Sequence, residues 1–317
     1  MIGGAVDRSL PRCGAEHYWG DTLPLLRSAD AVIANLECPI TDYPHRWPRL
    51  KTWRFHASPA GIEILRAGNV RFVNLANNHS LDYQAEGLLD TMRHLDQAGI
   101  GHAGGGGYAA AAAAPKLLAL PDLTLGLIGM TDNLPAYAAT AERPGTHYMP
   151  IDDRPERVTS IAERVERLRA RGAELVVLSA HLGLNMMQRP ERRFRRFARA
   201  VVEAGIDLFH GHSAHLFQAV EPHGAGLVLY DTGNFLDDYW KFPFLPTLWT
   251  FVFLVEIETG RPRRLLLYPV EIGPLAVALA RGAAFERICR RMQRLSAARG
   301  CILRPHPDGL ELALENP

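Results

Sequence analysis

Residues 204–215 form an apolar segment that runs directly into two histidines in a Gly-His-x-x-His motif. A β-strand that ends in this motif delivers the imidazoles of His212 and His215 from one short turn. Neutral imidazole is the commonest protein ligand for transition metals. Two helical or surface histidines would give the same spacing, so this motif alone leaves a purely structural reading open.

Three further apolar segments end in the same way, at side chains that suit a metal. Residues 31–37 end at a glutamate, residues 72–82 at Asn-His with an aspartate three positions on, and residues 175–181 at a histidine. Strands separated by helical segments predict a mostly parallel sheet, whose carboxyl ends share the edge where ligands bind. We therefore expect six side chains to converge there: Glu37, Asn78, His79, His181, His212 and His215.

Length and composition predict one large domain. The chain has 317 residues with 47% hydrophobic content, enough to bury a substantial core. We expect this domain to occupy residues 1–275, with a peripheral helix and tail over residues 276–317. A formal net charge of +1 gives no basic field, which argues against nucleic acid as a partner.

The four cysteines exclude two further classes of protein. Cys13, Cys38, Cys289 and Cys301 are scattered and form no Cys-x-x-Cys pair, which argues against a zinc ribbon and gives no disulfide framework.

The chain also has no apolar run of about 18 residues and no basic-then-apolar signal peptide at its start. As written, it predicts a cytoplasmic protein without a membrane span, and the sequence gives no oligomeric state.

Hydrophobic periodicity and turn residues place the main elements. We expect a strand over residues 125–130 and an antiparallel hairpin of residues 251–257 and 265–270, joined through Thr259-Gly260. Ser58 is predicted to cap the second of the expected helices. These helices cover residues 22–29, 59–67, 84–98, 155–170 and 284–298.

Two surface features bear on substrate binding. Five arginines in residues 192–199 lie on the outward side of an amphipathic helix, which is by default a solvated face and alternatively a patch for a polyanion. The aromatic-rich residues 239–244 read equally well as a loop over the site or as core packing. Substrate specificity lies in such loops, including residues 104–108, and no motif constrains it.

Five segments together resemble the successive motifs of the bacterial capsule synthesis CapA family. They are residues 35–37 (Asn-Leu-Glu), 75–83 (Leu-Ala-Asn-Asn-His-Ser-Leu-Asp-Tyr), 180–183 (Ala-His-Leu-Gly), 211–215 (Gly-His-Ser-Ala-His) and 230–235 (Tyr-Asp-Thr-Gly-Asn-Phe). The similarity runs in order from the first residues to about Val270. This family is associated with poly-γ-glutamate biosynthesis and has a distant form of the calcineurin-like metallophosphatase fold. The resemblance implies an α/β four-layer αββα sandwich.

The resemblance also implies a binuclear metal site. Glu37 would be the bridging carboxylate, while a first metal ion would be bound by Asn78, His181 and His212, and a second by His215. His79, paired with Asp82, would be the acid that protonates the leaving group. Carboxylate, amide and imidazole ligands suit Mn, Fe or Zn, so we expect two divalent ions of this kind. Such a pair activates a bridging water and stabilises a phosphoryl transition state.

The chain departs from the family pattern in two places. The family's first strand ends in Gly-Asp-Val-Met and its Asp is a metal ligand, whereas this chain begins at Met1, the Met of that motif. The resemblance therefore implies that the first strand and its ligand are missing, through truncation or natural loss, which also leaves export open. Leu182 stands where the family usually has Trp, a change expected to alter packing near the site.

Two classes of function follow. The first is a metal-dependent hydrolase that cleaves a phosphoester or the amide of a glutamyl polymer. The second is a non-catalytic accessory protein that binds a polyanionic polymer during synthesis or export. Both predict an anionic partner, either a small molecule or a polymer. The retained histidines favour the hydrolase, and the missing Asp favours the accessory protein.

Overall fold

Helices and strands alternate along most of the chain. The computed structural model describes residues 1–152, 154–237 and 244–314. Within these ranges the α-helices are α1 (Gly4–Cys13), α2 (Leu23–Ser28), α3 (Gly61–Ala67), α4 (Gln84–Ala98), α5 (Ala109–Ala112), α6 (Pro155–Ala170), α7 (Arg192–Glu203) and α8 (Gly282–Ala297). Short 3₁₀ helices cover Ala15–Thr22 and Pro135–Tyr137.

The strands of the first half of the chain are β1 (Val32–Asn35), β2 (Val70–Asn74), β3 (Gly101–Ala103), β4 (Gly105–Gly106), β5 (Lys116–Ala119), β6 (Thr124–Thr131) and β7 (Gly145–Thr146). Those of the second half are β8 (Leu175–His181), β9 (Leu208–His212), β10 (Val220–His223), β11 (Gly226–Leu229), β12 (Trp249–Glu258), β13 (Arg261–Ile272), β14 (Val277–Leu279), β15 (Arg304–His306) and β16 (Gly309–Ala313).

Two of the sheets carry the parallel strands that the sequence predicts. One contains β1, β2 and β3, all parallel. The other has the order β10-β11-β9-β8-β6-β5, with four parallel strands in the middle and an antiparallel strand at each edge. Every residue of β8 is buried, which explains its continuous apolar run, since both faces of a central parallel strand are covered.

A third sheet is antiparallel and is built around β12 and β13. These two strands confirm the predicted hairpin, with Thr259 and Gly260 at its tip, both at positive φ. Phe251 belongs to the core cluster around β8 and β9, and its neighbour Val252 belongs to the cluster around β1 and β2. Successive strand residues point to opposite faces, so this sheet packs against both cores. The predicted α/β sandwich is confirmed.

The predicted helices are confirmed, with three corrections in detail. The helices predicted over residues 84–98 and 155–170 have the same first and last residues as α4 and α6. The Ser58 cap is wrong, because α3 begins only at Gly61 and the hydroxyl of Ser58 bonds to Asp7 instead. The apolar period at residues 88, 89, 92, 95 and 98 predicts Leu89 on the buried face of α4, but Leu89 is 41% exposed. The third concerns the C-terminal helix.

This helix, α8, is not peripheral. Its side chains Ile288 and Met292 are fully buried in the cluster around β8 and β9. The segment after it returns as β15 and β16, and β16 pairs with β13 of the hairpin. The last part of the chain is therefore packed into the sandwich, while the division at residue 275 stays a prediction.

A groove with a volume of about 820 Å³ runs beside β1, which lies at the edge of its sheet. Its walls are largely apolar and come from β1, from the central strands β8, β9 and β11, and from β12. One end of the groove reaches Glu37, His215 and Asn234. Within the described ranges, no helix has the length and apolarity needed to cross a bilayer.

Candidate metal centre and acid–base pair

The ends of the parallel strands bring the predicted site residues together. His181 and His212 are the last residues of β8 and β9 and are paired in register. Glu37 lies two residues beyond the end of β1, and its carboxylate Oε1 is 3.8 Å from Nε2 of His181. Glu37 and His215 line one small pocket together with Phe55, whose ring packs on that of His79 with centroids 4.6 Å apart.

Burial keeps the two strand-end histidines neutral. It lowers the pKa of His181 to about 4, and the pKa of His212 falls well below its usual value for the same reason. Both side chains are almost completely buried. Neutral imidazole is the form that binds a metal, so at neutral pH both rings are in the protonation state that a metal ligand requires.

The hydrogen bonds of His181 and His212 determine which nitrogen of each ring carries the proton. The amide Nδ2 of Asn74 lies 3.3 Å from Nε2 of His212 and only donates, so the proton of His212 is on Nδ1. Nδ1 of His212 is 2.9 Å from Nδ1 of His181, which therefore accepts. The remaining proton of His181 lies on Nε2, the atom nearest Glu37. The hydrogen-bonded chain from Asn74 through His212 to His181 thus leaves its last proton on the side of the Glu37 carboxylate, whose Oε1 lies 3.8 Å away, beyond hydrogen-bond distance.

Glu37 and Asn78 supply buried oxygens that suit a cation. Burial raises the pKa of the Glu37 carboxyl, but His181, His215 and His79 outweigh this and hold it at about 2. Its Oε2 accepts a hydrogen bond from Asn35 at 3.1 Å. Within the described residues, Oε1 of Glu37 and Oδ1 of Asn78 are buried without a hydrogen-bond partner. Buried polar atoms are normally satisfied, so these two oxygens fit the divalent ions that the sequence predicts.

The turn after β9 presents His215 in a fixed tautomer. The two oxygens of Asp231 accept hydrogen bonds from the backbone N–H groups of Ala214 and Gly233, at 2.7 and 2.8 Å. Burial raises the pKa of Asp231 to about 7 despite these bonds. Nδ1 of His215 is 2.9 Å from Oδ1 of Asn234 and donates to it, which leaves the lone pair on Nε2.

Backbone strain and a close approach mark the same turn. Ser213 and His215 have backbone φ values of 133° and 61°, in a region that residues other than glycine rarely adopt. Strain of this kind persists where the surrounding structure over-determines it, as Asp231 does here. Between the two histidines of the strand, a Cβ at Gly211 would lie 2.0 Å from the carbonyl oxygen of Tyr230, so only glycine fits.

His79 and Asp82 form an acid–base pair. Nδ1 of His79 lies 2.6 Å from Oδ2 of Asp82, which is fully buried. The same oxygen accepts the backbone N–H of Phe55 at 2.8 Å, and Oδ1 accepts from Lys51 and from the hydroxyl of Tyr137. With its Nδ1 proton directed at Asp82, His79 has Nε2 for exchange with a substrate.

Glu37, His79, His181, His212 and His215 therefore lie together at the strand ends, but the roles of all the predicted residues stay predictions. Within residues 1–152, 154–237 and 244–314, no three His, Cys, Asp or Glu side chains are grouped closely enough to hold a metal ion as they stand. For Nε2 of His181 to bind a metal, the protons of His181 and His212 must first move to the opposite nitrogen of each ring. The predicted roles concern Glu37, Asn78, His181, His212 and His215 as ligands and His79 with Asp82 as the acid.

Sequence reasoning missed several residues that build the site. Asp231 and Asn234 lie in a quoted motif but were given no role. Lys51, one of only three lysines in the chain, lies in an irregular loop without a recognisable pattern. Asn74 is the last residue of β2, so the rule that strand ends converge would have included it.

The structure describes the predicted arginine-rich helix but not most of the predicted aromatic loop. On α7, Arg199 and Arg193 form ion pairs with Glu221 and Glu191, at 2.7 and 3.2 Å. The helix buries Phe194 and Phe197, as expected for its apolar side. Of the predicted aromatic loop, residues 239–243 lie outside the described residues.

Comparison with known proteins gives relatives for most of the chain. A Bacillus anthracis protein named capsule biosynthesis protein CapA is 27% identical over 75% of this chain and 58% of its own length. The PGA biosynthesis protein CapA of Bacillus subtilis is 27% identical over 75% of this chain and 61% of its own length. The chain thus spans about three fifths of these relatives. A probable polyglutamine synthesis accessory protein of Mycobacterium tuberculosis is 27% identical over 92% of this chain and 80% of its own length.

Solved structures show a weaker likeness. A 5'-nucleotidase precursor from Thermus thermophilus has a TM-score of 0.42 and 14% identity, over 69% of this chain and 41% of its own. The sulfate thiohydrolase SoxB from the same organism has a TM-score of 0.42 and 15% identity, over 68% of this chain and 35% of its own.

A family model covers the part of the chain that carries the site. The model, described as bacterial capsule synthesis protein PGA_cap, matches residues 1–239. This range includes β1, β2, β8 and β9 with every residue of the candidate centre. The chain belongs to the bacterial capsule synthesis protein PGA_cap family.

Proposed function

We propose that this protein is a metal-dependent hydrolase that acts in capsule or poly-γ-glutamate synthesis, on a phosphoester or on a glutamyl amide bond. The observation that carries the proposal is the His79–Asp82 pair, held beside the buried carboxylate of Glu37. A general acid must be oriented and must lie next to the reacting group. The names of the Bacillus relatives support the link to capsule and polymer synthesis.

In this proposal the ligands of two divalent ions are Glu37, Asn78, His181, His212 and His215. The buried oxygens of Glu37 and Asn78 and the neutral imidazoles form a donor set for Mn, Fe or Zn. When bound, such ions lower the pKa of a water and stabilise charge in the transition state. The chain's own contribution is orientation: Asn234 fixes the ring of His215, and Asp231 fixes the turn that carries it.

The acid role falls to His79. Asp82 keeps its ring in one orientation and keeps the proton of the neutral form on Nδ1. The second proton of the charged ring is then on Nε2, from which it passes to the leaving oxygen or nitrogen. Phe55 covers one face of the ring and limits access of water to the pair.

The test is a His79→Ala variant assayed on p-nitrophenyl phosphate and on a γ-glutamyl anilide, with metal content measured by plasma mass spectrometry. We expect turnover to fall by about 10²-fold or more, the usual contribution of a general acid, with metal content unchanged. His17→Ala, at an exposed histidine, is the matched control and should keep full activity. Unchanged turnover in the His79 variant would remove the hydrolase assignment.

The accessory role is a second candidate, favoured by the bonds of His212. Both of its ring nitrogens contact protein groups: Nδ1 the ring of His181, and Nε2 the hydroxyl of Ser179 and the amide of Asn74. His212 is therefore satisfied without a metal. Polymer binding by a protein that shows no turnover on either probe would support this candidate over the hydrolase.

A further inference from the structure

Residues 42–56 form a loop that is rich in cationic side chains and contacts the His79–Asp82 pair. Its ends are held together where Ile40 pairs with Ala57 and the N–H of Thr41 donates to the carbonyl of Ala57 at 2.9 Å. We call this segment the basic loop. It contains four cationic residues and one Asp, a net charge of 4 − 1 = +3, whereas the whole chain has a formal net charge of only +1.

The basic loop is anchored directly to the acid–base pair. Lys51 donates to Asp82 and to the backbone carbonyl of Asn78. The backbone N–H of Phe55 donates to the other oxygen of Asp82, and the N–H of Trp47 donates to its carbonyl, both at 2.8 Å. Asp82 thus fixes the loop and His79 at once, so any group bound on the loop has a defined position relative to His79.

The loop is also rigid within itself. The guanidinium of Arg54 donates to the carbonyl oxygens of Trp47, Lys51 and Arg49, at 3.2, 2.8 and 2.7 Å. This single side chain closes the turn at the outer end of the loop. A preorganised surface loses little conformational entropy when it binds a ligand.

The outer cations of this loop have no carboxylate partner in the described part of the chain. Arg46 and Arg49 are exposed and take part in no ion pair there, although Nε of Arg46 donates to the hydroxyl of Tyr83 at 3.3 Å. The α7 cluster differs, since Arg193 and Arg199 are paired with glutamates. Unpaired cations on a fixed loop are available for anionic groups of a ligand.

We propose that the basic loop binds the carboxylates of a polyglutamate chain and thereby places the chain beside His79. The proposal rests on the proposed function and assigns its polymer-binding surface, in place of the arginine cluster on α7. Arg46 and Arg49 contact carboxylates of polymer residues on the outer side of the loop. The exposed side chains of Trp53 and Leu50 belong to the same loop and contact the methylene groups of the polymer.

The experiment measures equilibrium binding of fluorescently labelled poly-γ-glutamate to the full chain, so it does not depend on turnover. We compare the wild type with Arg46→Gln/Arg49→Gln and with the matched control Arg192→Gln/Arg196→Gln, which removes the same charge from α7. We expect the loop variant to lose about tenfold in affinity or more, and the control to stay within about twofold. Wild-type affinity should fall as salt rises.

Three outcomes overturn the proposal: equal losses in both variants, unchanged binding in the loop variant, or tighter binding of polyphosphate than of polyglutamate. Arg49→Glu serves as a second loop variant if the double variant fails to fold, because no hydrogen bond of its side chain is seen in the described ranges. It should weaken binding by about tenfold or more relative to the wild type, because it replaces a positive charge with a negative one. Failure of hydrolysis in an otherwise binding-competent protein would reject the proposed reaction and leave this surface standing.

Discussion

The carboxylate of Asp82 accepts a hydrogen bond from Nδ1 of His79 at 2.6 Å, and Asp82 is fully buried. The same carboxylate also serves three other donors: Lys51, Tyr137 and the backbone of Phe55. Four donors on two oxygens hold the group in one orientation. Asp82 is therefore the residue through which the loop of residues 42–56 and the proposed acid are coupled.

Asp82→Asn should damage both catalysis and stability. The amide cannot accept from all four donors, and Lys51 is left as a half-buried cation without its counter-ion. We expect turnover to fall by about 10²-fold and the free energy of unfolding by about 3 kcal/mol. Urea unfolding and turnover on p-nitrophenyl phosphate measure the two effects. Asp90→Asn, at a surface carboxylate bonded to Thr41 and Arg93, is the control and should change neither by much.

The sequence predicted the strand ends of the site because they follow a simple rule. Apolar runs that stop at Glu37, His181 and His212 are strands, and parallel strands place their ends at one edge. Asp231 and Lys51 could not be assigned in this way, because their roles depend on which backbone groups and carboxylates tertiary packing brings to them. Irregular loops carry no period, so the anchoring of Lys51 on Asp82 is visible only in the structure.

The same reasoning explains the errors in the fold. Ser58 has the right residue type for a helix cap, but Asp7 from α1 offers a stronger, charged partner. The C-terminal helix was expected at the periphery. Its apolar side is nevertheless covered by the sheets, and Ile288 is completely buried. Amphipathic periodicity shows that a face is buried and does not show against what.

Glu37→Gln should lower metal content while leaving the fold intact. The variant keeps the shape of the side chain but removes the charge beside His181. We expect fewer divalent ions per chain by plasma mass spectrometry of protein purified without chelator. A metal that binds the folded state alone adds about 2.7 kcal/mol of stability at 100 times its dissociation constant, so the rise in melting temperature with added Mn or Zn should shrink.

Glu16→Gln is the matched control, because Glu16 is an exposed carboxylate that pairs with Arg27 at 2.6 Å. It should keep the metal content and the metal-induced rise in melting temperature of the wild type. Equal metal content in Glu37→Gln and the wild type would mean that Glu37 is not a ligand.

His147 should make the protein sensitive to acid. Its ring is buried and donates from Nδ1 to the carbonyl of Gly129 at 2.7 Å, and burial lowers its pKa from 6.5 to about 4. Below pH 6.5 the unfolded chain binds a proton that the folded protein does not, so stability falls as the pH drops from 6.5 to 4. The loss from this group is about 3 kcal/mol, at 1.36 kcal/mol per pKa unit.

The measurement compares urea unfolding of the wild type and of His147→Gln between pH 7 and pH 4. Glutamine can still donate to Gly129 but cannot be protonated, so the variant should lose less stability in acid. Other buried histidines, His181 and His210 among them, titrate in both proteins and cancel in the comparison. Parallel curves for the two proteins would contradict the assignment.

The groove beside β1 should accept an added strand. It has a volume of about 820 Å³, has largely apolar walls, and ends at Glu37 and His215. We expect a chain extended ahead of Met1 by about six apolar residues followed by Gly-Asp-Val to pair with the edge of β1, since each buried aliphatic side chain adds about 1.5–3 kcal/mol. Its melting temperature should rise, and its metal content should exceed that of this chain, because the added carboxylate is expected at the end of the groove where Glu37 lies. An extension with Gly-Asn-Val in place of Gly-Asp-Val should reproduce the first effect without the second. If neither extension raises the melting temperature, the groove does not take a strand.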